Sequence, residues 1–494
     1  MLGSAKALSV YAHLSSIVQQ PFHTSSGETF LQTCKLLQTT ISNSSAVSYP
    51  GSSQYYEHVQ HWLPTSSEVS ACSVQPNTVE DLSTIVQILG QSTTPFGIKS
   101  GGYAHSQEQS STTGVQISMK GFQDIDYDKA SGTARLGVGN TWGKVYQALE
   151  AYKVTVPGGR VSDLGVGGVI LGGGYSHIAN EVGLGIDHVL SFELVLPGGA
   201  FVVVTEASNP ELFWGLKGGF NNFGIVTHVT MRAFPITQFF AGEIVYSGAS
   251  LALLPEAIAK WDAMHHSDSA YVQGGGSFVY KISPDGRMAG HFMPVYNGIE
   301  PPSDWLAPFE NIPHDSSSMG VYSLPEVMDI ISPNFANTNN LRGHSNVVNV
   351  HDITPSLVKE FVAITNAAVR SLPDAAIATL QFDFFVPSAI DRPLSSSLFP
   401  HAVFASPVNF AMFWNSASND ATGHNTLTSA IDDMRHIAKR DGQPVEKMAV
   451  YSNYAGWNYK AEEVFMENFE KGKELRKKID PEGVMLRTGG WKLV

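Results

Sequence analysis

Glycine is concentrated in four short segments between residues 100 and 227, and no other feature constrains the fold as strongly. The segments are SGGYAHS (100–106), VPGGR (156–160), GVGGVILGGGYSH (165–177) and KGGFNNFGIVT (217–227). Glycine loses more conformational entropy on folding than any other residue, so a cluster of glycines needs a reason. An ordinary β-turn explains any single segment equally well. Four in one region instead indicate a large, extended, anionic ligand, since successive backbone N–H groups bind phosphate oxygens.

The spacing of these glycines excludes the two commonest phosphate-binding loops. The chain contains no GxxxxGK[ST] sequence, so a P-loop is absent. The segment GVGGVILGGG differs from GxGxxG in its spacing, and it does not lead into the helix that opens a Rossmann dinucleotide site. The sequence therefore predicts a dinucleotide-binding fold of another kind.

The pattern around the glycines predicts an α+β protein with at least two domains. Residues 74–235 alternate between helix and strand patterns, such as the helical VEDLSTIVQILG and the hairpin SFELVLPGGAFVVVT. From about 237 to 440, strand patterns such as ATLQFDFFV and FAMFWNS alternate with helical ones such as SLVKEFVAITNAAVRSL. That alternation of strand and helix patterns is typical of an antiparallel sheet backed by helices. A chain of 494 residues also exceeds the usual size of one hydrophobic core.

Charge and hydropathy exclude several classes of partner. The formal net charge of −14 argues against nucleic acid or an anionic membrane surface as the main partner. No apolar run reaches the roughly 20 residues that cross a bilayer. The first residues, MLGSAKALSVYAHLSSIV, are only mildly apolar and make a poor leader peptide. No HxH or HExxH motif indicates a metal site.

The chain has two cysteines, Cys34 and Cys72, which are too few for a structural zinc site. They either form one disulfide, which would imply an oxidising compartment, or remain two buried thiols. A glycosylation sequon, Asn43-Ser44-Ser45, is compatible with secretion.

Several motifs, in order along the chain, resemble one flavoprotein family. PNTVEDLSTIV, PFGIKSGGYAHS, VPGGRVSDLGVGGVILGGGYS and NPELFWGLKGGFNNFGIVT resemble the FAD-binding domain of berberine-bridge-enzyme-like oxidases of the fungal secondary-metabolism type. These oxidases belong to the vanillyl-alcohol-oxidase/p-cresol-methylhydroxylase (PCMH) superfamily. YSNYAGWN and TGGWKL are similar to the family's short C-terminal segment.

The resemblance implies a domain plan and a compartment. A PCMH-type FAD-binding domain would occupy residues 1–236 and be completed by residues 445–494. A substrate domain, with its antiparallel sheet backed by helices, would occupy residues 237–444. The resemblance also implies the disulfide Cys34–Cys72 of secreted fungal members, and therefore a protein that is secreted or lies in the secretory pathway.

The resemblance assigns the glycine segments to FAD. The loops 100–106 and 165–174 would enclose the pyrophosphate, 157–159 would lie at the flavin, 224–226 near the adenine, and Asn453 over the flavin ring. Neutral backbone donors suffice for two phosphates, which fits an acidic protein. The implied FAD-binding residues are Ser100, Gly101, Gly102, Tyr103, Ala104, His105, Ser106, Pro157, Gly158, Gly159, Gly165, Gly167, Gly168, Gly172, Gly173, Gly174, Gly224, Ile225, Val226 and Asn453.

The first glycine loop departs from the family at one position. Most relatives carry a histidine directly after the glycine pair, joined covalently to the flavin, whereas this chain has Tyr103 there and His105 two residues later. Three interpretations stay open: FAD bound without a covalent bond, a link through His105 or Tyr103, or loss of flavin binding. We expect the first. A cysteinyl link is excluded outside the N-terminal region, because Cys34 and Cys72 are the only cysteines.

Flavin-dependent oxidation also needs a group that takes a proton from the substrate as hydride leaves. Tyr454 is the first candidate because its YSNY motif matches the family, with Tyr451 beside it, although both could simply pack against the cofactor. Asp383 and Gln381 alternate on a predicted strand and could face the substrate. His177 follows GGGYS and could act as an acid or base, or be a structural histidine.

The sequence therefore predicts an FAD-dependent oxidoreductase, an oxidase acting on a small, mostly apolar organic metabolite. Its electron acceptor would be O₂, with release of hydrogen peroxide. The alternative is a non-redox cyclase of the pericyclase (Diels–Alder) type, or an isomerase, on the same fold. The changed residue at position 103 keeps that alternative open.

Overall fold

The computed structural model of the chain describes residues 25–107, 109–267, 269–333, 341–386, 396–400 and 406–494. They form a mixed α and β protein, as the sequence predicts. Its strands are arranged in three main sheets. No helix in these ranges is both long and apolar enough to cross a membrane.

The first sheet has four strands in the order β1-β2-β4-β3, and the first glycine segment lies between β3 and β4. Strands β2, β3 and β4 are parallel, and β1 runs antiparallel to β2. The predicted helix is present, because Leu82, Ile85 and Leu89 are fully buried and Thr78 caps it by accepting a hydrogen bond from the Asp81 N–H. The elements are α1 (Ser25–Thr40), β1 (Ala46–Ser48), α2 (Ser53–Val59), β2 (Cys72–Gln75), α3 (Val79–Gly90), β3 (Phe96–Lys99) and β4 (Val115–Ser118).

The Cys34–Cys72 disulfide is confirmed, and it joins α1 to the beginning of β2 with a Cα–Cα distance of 6.1 Å. Both cysteines are completely buried, so the bond lies within the hydrophobic core of this region.

The second sheet has five antiparallel strands in the order β5-β6-β10-β8-β9. The predicted hairpin joins β8 to β9, and its turn closes with Leu196 N–H donating to Ala200 C=O while Gly199 has φ +88°. A two-stranded pair, β7 with β11, lies beside it. The elements are β5 (Ile125–Asp128), β6 (Thr133–Gly137), α4 (Trp142–Glu150), β7 (Val154–Thr155), α5 (Val166–Leu171), α6 (Ala179–Val182), β8 (Val189–Val195), β9 (Phe201–Thr205), α7 (Pro210–Leu216), β10 (Ile225–Arg232) and β11 (Phe234–Pro235).

The third sheet has nine antiparallel strands, with β16-β13-β15-β14-β19-β20-β18 as its main order and β12 pairing with β15 and β17. Its elements are β12 (Phe239–Ala241), β13 (Ile244–Tyr246), α8 (Leu254–Ser267), β14 (Gly274–Ile282), β15 (Met288–Asn297), α9 (Ala307–Glu310), β16 (Ser316–Ser317), β17 (Gly320–Tyr322), α10 (Leu324–Ile331), β18 (Arg342–Val350), α11 (Pro355–Ser371), β19 (Ala375–Phe384), β20 (Ser406–Trp414) and α12 (Asp420–Arg440).

Side chains alternate across this sheet with the period of two expected for strands. Leu380, Phe382, Phe410 and Met412 pack in one core with residues of α8, α11 and α12. The alternate residues of these two strands face the opposite side of the sheet: Ile377, Thr379 and Gln381 on β19, and Asn409, Ala411 and Phe413 on β20. The predicted antiparallel sheet backed by helices is therefore present, and its free face is turned toward the glycine loops.

Residues after 445 return to the glycine-rich region. Helices α13 (Ala461–Phe465) and α14 (Phe469–Ile479) follow, and α14 packs against α7. Asn222 donates a hydrogen bond to the Trp491 carbonyl and accepts one from the Leu493 N–H. This return agrees with the predicted completion of the first domain, although the boundaries at 236 and 444 stay predictions.

Candidate active site

One large cavity of about 460 Å³ lies between the glycine loops, the free face of the nine-stranded sheet and residues 451–454. Fourteen of the twenty predicted cofactor residues line it: Ser100, Gly101, Gly102, Tyr103, Ala104, His105, Gly159, Gly165, Gly167, Gly168, Gly224, Ile225, Val226 and Asn453. The other six do not: Ser106, Pro157, Gly158, Gly172, Gly173 and Gly174.

The first and third glycine segments form one continuous wall because their backbones touch. A Cβ on Gly101 would lie 2.4 Å from the Gly165 nitrogen, and one on Gly165 would lie 2.2 Å from the Gly101 nitrogen. Ser100 joins the segments further, since its Oγ donates to Val138 C=O and accepts from Gly167 N–H. On the cavity side, a Cβ on Gly168 would meet no atom within 4 Å. The wall thus leaves open backbone where a phosphate-bearing ligand would lie.

The predicted FAD-binding glycines that do not line the cavity have a structural role. The sequence alone does not distinguish that role from ligand binding. A Cβ on Gly158 would lie 2.0 Å from the Trp142 ring, and one on Gly172 would lie 2.4 Å from Asn453 Oδ1. Gly173 and Gly174 have φ values of +118° and +83°, which a residue with a Cβ rarely adopts. These four glycines let the lining segments approach one another.

Both rings that follow the glycine pair are in contact with Trp62. The Tyr103 ring stacks on it with centroids 4.5 Å apart and planes 10° apart, and the His105 ring lies 5.2 Å away. His105 Nδ1 is hydrogen-bonded to Ser345 Oγ, and its carbonyl accepts from His344 Nδ1. Burial lowers the pKa of His105 to about 4, so its ring is neutral at physiological pH.

Arg160 lines the cavity and forms a buried ion pair with Asp383, which is distant in sequence and does not itself line the cavity. Arg160 donates two parallel hydrogen bonds to Asp383, of 2.9 Å and 2.7 Å, and Asp383 is fully buried. Ser277 and Gln381 also donate to Asp383 Oδ1, at 2.6 Å and 2.8 Å. Arg160, Ser277 and Gln381 all donate to this carboxylate, and the two parallel bonds hold the guanidinium in one orientation.

Arg160 is the functional candidate that the sequence analysis missed. Pro157, Gly158 and Gly159 of VPGGR were assigned to the flavin and Arg160 was given no role, although an arginine after two glycines in an otherwise uncharged loop was a signal. Its guanidinium also donates to Tyr454 Oη at 2.8 Å and lies over the Phe385 ring. The arginine therefore links Asp383 to Tyr454, two residues predicted separately.

Tyr454 accepts hydrogen bonds from Arg160 and, at 3.4 Å, from Gln381 Nε2. Burial raises the pKa of Tyr454 well above its ordinary value, and the Arg160 charge opposes that shift only in part. The side chain is therefore a neutral phenol at physiological pH. Since its oxygen accepts from two donors, its own proton is available to a ligand in the cavity.

Tyr451 lies behind Tyr454, with ring centroids 4.9 Å apart. Its hydroxyl accepts from Asn453 Nδ2 at 3.1 Å and from Tyr175 N–H at 3.4 Å. The Tyr175 ring lies between the rings of Tyr451 and Phe385. Tyr451 is thus part of an aromatic packing group, although it also lines the cavity.

His177 lines the cavity from the third glycine segment. Burial, and then the Arg160 charge, lower its pKa to about 3, so the ring is neutral. Its Nε2 atom is buried and has no hydrogen-bond partner within the described part of the chain. Such an atom costs free energy until a ligand satisfies it, so His177 fits a polar group of a bound cofactor or substrate.

Three comparisons with known proteins agree with this geometry. Residues 70–205 match the family model described as FAD binding domain. The bifunctional solanapyrone synthase of Alternaria solani is 34% identical over 238 residues, which cover 48% of this chain and 46% of that protein. The FAD-dependent monooxygenase sdcF of Emericella nidulans is 29% identical over 479 residues, which cover 93% of this chain and 98% of that protein.

The fold is also that of solved flavoenzymes. The structure of berberine bridge enzyme from Eschscholzia californica superposes with a TM-score of 0.75 at 16% identity, covering 92% of this chain and 97% of that one. The domain match and the glycine wall together identify the cofactor as FAD. Which individual residues contact FAD stays a prediction.

Proposed function

We propose that this chain, an FAD-dependent oxidoreductase with a berberine-bridge-enzyme-like fold, oxidises a small, mostly apolar metabolite with O₂ as the electron acceptor. The observation that carries the proposal is Tyr454, whose hydroxyl oxygen on the cavity wall accepts hydrogen bonds from Arg160 and Gln381, two donors that also stabilise its phenolate. The relative from Emericella nidulans aligns over 479 residues and is named as an FAD-dependent monooxygenase, which supports redox chemistry with oxygen.

Bound FAD supplies the acceptor for the hydride that leaves the substrate. Tyr454 first loses its own hydroxyl proton to solvent, and its phenolate Oη then takes the proton that leaves the substrate hydroxyl or amine. Arg160 and Gln381 donate to that oxygen and stabilise it as a phenolate. Burial keeps Tyr454 a phenol at rest, and the charge of Asp383, which orients Arg160, adds to that effect.

The resting phenol also supports a second candidate, a non-redox cyclase. A phenol donates a hydrogen bond to a substrate carbonyl and polarises it without any electron transfer. The Alternaria relative, named as a bifunctional synthase, covers less than half of each chain and is compatible with either chemistry.

The test of the oxidase proposal is the state of the flavin during turnover. The holoprotein is mixed without oxygen with a panel of 4-hydroxybenzyl alcohol, cinnamyl alcohol and 1-naphthalenemethanol, and its visible flavin absorbance is followed. We expect bleaching with at least one of them, then recovery and hydrogen peroxide release when air is admitted. A flavin that stays oxidised across the panel would reject this alcohol class. A flavin that stays oxidised while a molecule is converted would establish the cyclase.

We further propose that FAD is bound without a covalent bond. The support is that both candidate rings are engaged by protein neighbours, Tyr103 by Trp62 and His105 by Ser345. Acid precipitation of the holoprotein should release the flavin into the supernatant. Flavin that stays with the pellet would show a covalent link.

The disulfide supports a protein made in an oxidising compartment, and we propose secretion or residence in the secretory pathway. Asn43 of the sequon is exposed beside α1, where a glycan has room. Mass spectrometry of protein from the producing culture should show the Cys34–Cys72 bond and a modified Asn43. Two free thiols in that material would contradict the proposal.

A further inference from the structure

The side-chain amide of Asn409 is a buried hydrogen-bond donor that the mechanism above does not use. Asn409 lies on β20, is 7% exposed and lines the cavity. Its Nδ2 atom has no hydrogen-bond partner among the residues that the structure describes. Buried polar groups in folded proteins are nearly always paired, so an unpaired donor on a cavity wall indicates a ligand that completes it.

The position of Asn409 places this donor close to the reacting groups. Asn409 is directly opposite Gln381 in the β19–β20 pair, and both side chains face the cavity. Residues opposite one another in antiparallel strands have Cβ atoms about 5 Å apart. Gln381 in turn donates to Tyr454 Oη and to Asp383. The unpaired Asn409 amide and the Tyr454 hydroxyl are thus both next to the Gln381 side chain.

In one direction away from this pair the wall ends in apolar residues, beyond Lys281, which is opposite Thr379 on β14 and also lines the cavity. The next residue pair on the same face is Thr379 opposite Ala411, and the one after it is Ile377 opposite Phe413. Trp62 packs edge-on against Phe413 at 5.9 Å. A ligand that extends along the strands therefore meets polar groups at one end and aromatic and aliphatic groups at the other.

We propose that Asn409 is a substrate-positioning residue, whose Nδ2 donates to an acceptor oxygen of the substrate beside Tyr454. The substrate class that fits is an elongated, apolar, unsaturated or aromatic molecule with a carbonyl or phenolic oxygen at one end. The proposal rests on the proposed function, since it names the substrate class of the same site. It does not depend on whether the reaction is redox.

The test compares two ligands of the same shape that differ in one acceptor. 2-Acetylnaphthalene has a carbonyl oxygen where 2-isopropenylnaphthalene has a methylene group. Binding of each to the holoprotein is measured by equilibrium dialysis, without turnover. We expect the wild-type protein to bind the ketone about five- to tenfold more tightly, the usual contribution of one hydrogen bond from a buried neutral donor.

Asn409→Leu, which keeps the branched shape of the side chain but has no polar atom, should abolish that preference. Asn409→Ala repeats the test with a smaller side chain, should the leucine variant not fold. Ser406→Ala is the matched control: Ser406 is on the same strand and its Oγ is buried without a partner in the described residues, but it does not line the cavity.

The proposal is overturned if the wild-type protein binds both ligands equally, or if the Asn409 variants keep the preference for the ketone. Loss of preference in Ser406→Ala would overturn it too, because the effect would not be local. These outcomes are separate from the flavin-bleaching test, since dialysis reports binding whether or not the flavin is reduced.

Discussion

At the scale of single residues, the site depends on Arg160, which donates hydrogen bonds to both Asp383 and Tyr454. Arg160 is paired with Asp383, so Tyr454 receives a directed hydrogen bond but little net positive charge. Both partners of the ion pair are buried, with 11% of the Arg160 side chain and none of the Asp383 side chain exposed. Removing one partner of such a pair leaves an uncompensated buried charge, at a cost of about 3–5 kcal/mol. Asp383 therefore holds Arg160 in place, and Arg160 in turn positions Tyr454 through its hydrogen bond to Oη.

Tyr454→Phe should lower turnover by about 100-fold or more, because the variant can no longer hold the substrate proton, while FAD occupancy stays unchanged. In the oxidase, wild-type turnover should also rise with pH through the alkaline range, since the active form is the phenolate and its pKa is raised. In a cyclase, the phenol is active, and turnover should stay level through the same range because the raised pKa keeps Tyr454 protonated. The measurements are kcat against pH and the flavin content of each variant.

Tyr280→Phe is the control for this variant. Tyr280 is also a buried tyrosine of the nine-stranded sheet, and its hydroxyl has no partner in the described ranges, but it packs toward the helices. Its turnover should equal that of the wild type. Equal turnover of Tyr454→Phe and Tyr280→Phe would remove Tyr454 from the mechanism.

At the scale of elements, the glycine segments function as pairs of touching loops. Residues 100–102 and 165–168 form one wall only because neither backbone carries a Cβ at the contact. The short helix α5 begins at this contact, with Gly165 as its N-terminal cap residue. Separation of the two loops would therefore also move the start of α5, which lines the cavity.

Gly165→Ala should weaken FAD binding by about tenfold or more, because overpacking a closed contact costs roughly 1–3 kcal/mol. The new methyl group would lie 2.2 Å from the Gly101 nitrogen, so one loop has to move. Gly198→Ala is the matched control, since a Cβ there meets nothing within 4 Å in the exposed β8–β9 turn. Titration of the apoprotein with FAD measures both. Wild-type affinity in Gly165→Ala would contradict the wall.

Elements whose signals are local were predictable, and contacts between distant elements were not. The helix Val79–Gly90, the Pro197–Gly199 hairpin and the sheet with helices on one face follow from nearby residues. Arg160 and Asp383 are 223 positions apart, and no periodicity indicates that a turn arginine meets a strand carboxylate. Asn409 and Gln381 are neighbours only through strand register, which the sequence does not specify. The glycine loops were found, but the glycines that line the cavity and those that support it look alike in sequence.

At the scale of the whole molecule, buried histidines make the fold sensitive to acid. Among the histidines that the structure describes, six have pKa values lowered to about 3 or 4, chiefly by burial: His58, His61, His105, His177, His265 and His344. The unfolded chain protonates them below their ordinary pKa of about 6.5, whereas the folded chain does not. Stability is therefore lost as pH falls below that value. Asp262, whose pKa burial raises to about 8, works in the opposite direction but is a single group.

The holoprotein should unfold at a temperature several degrees lower at about pH 5.5 than at about pH 7.5, since each histidine costs on the order of 1 kcal/mol there. Thermal unfolding at the two pH values measures this difference. His265→Gln should reduce the difference, because His265 is buried against Trp261 away from the cavity. His436→Gln, at an exposed position of α12, should leave it unchanged. Equal unfolding temperatures at the two pH values would contradict the argument.

Completion of the cavity by residues 451–454 has a consequence for the order of events in the cell. The last glycine segment ends at Thr227, and Tyr451 follows 224 positions later, after every strand of the nine-stranded sheet. A ribosome adds about 5–20 residues each second, so at least about ten seconds of translation separate the loops from their cover. The strands of the nine-stranded sheet are made one after another during that interval, and the tyrosines come last. We therefore expect loading of the flavin to be a late step of biosynthesis, and the supply of FAD to matter after the nine-stranded sheet has left the ribosome.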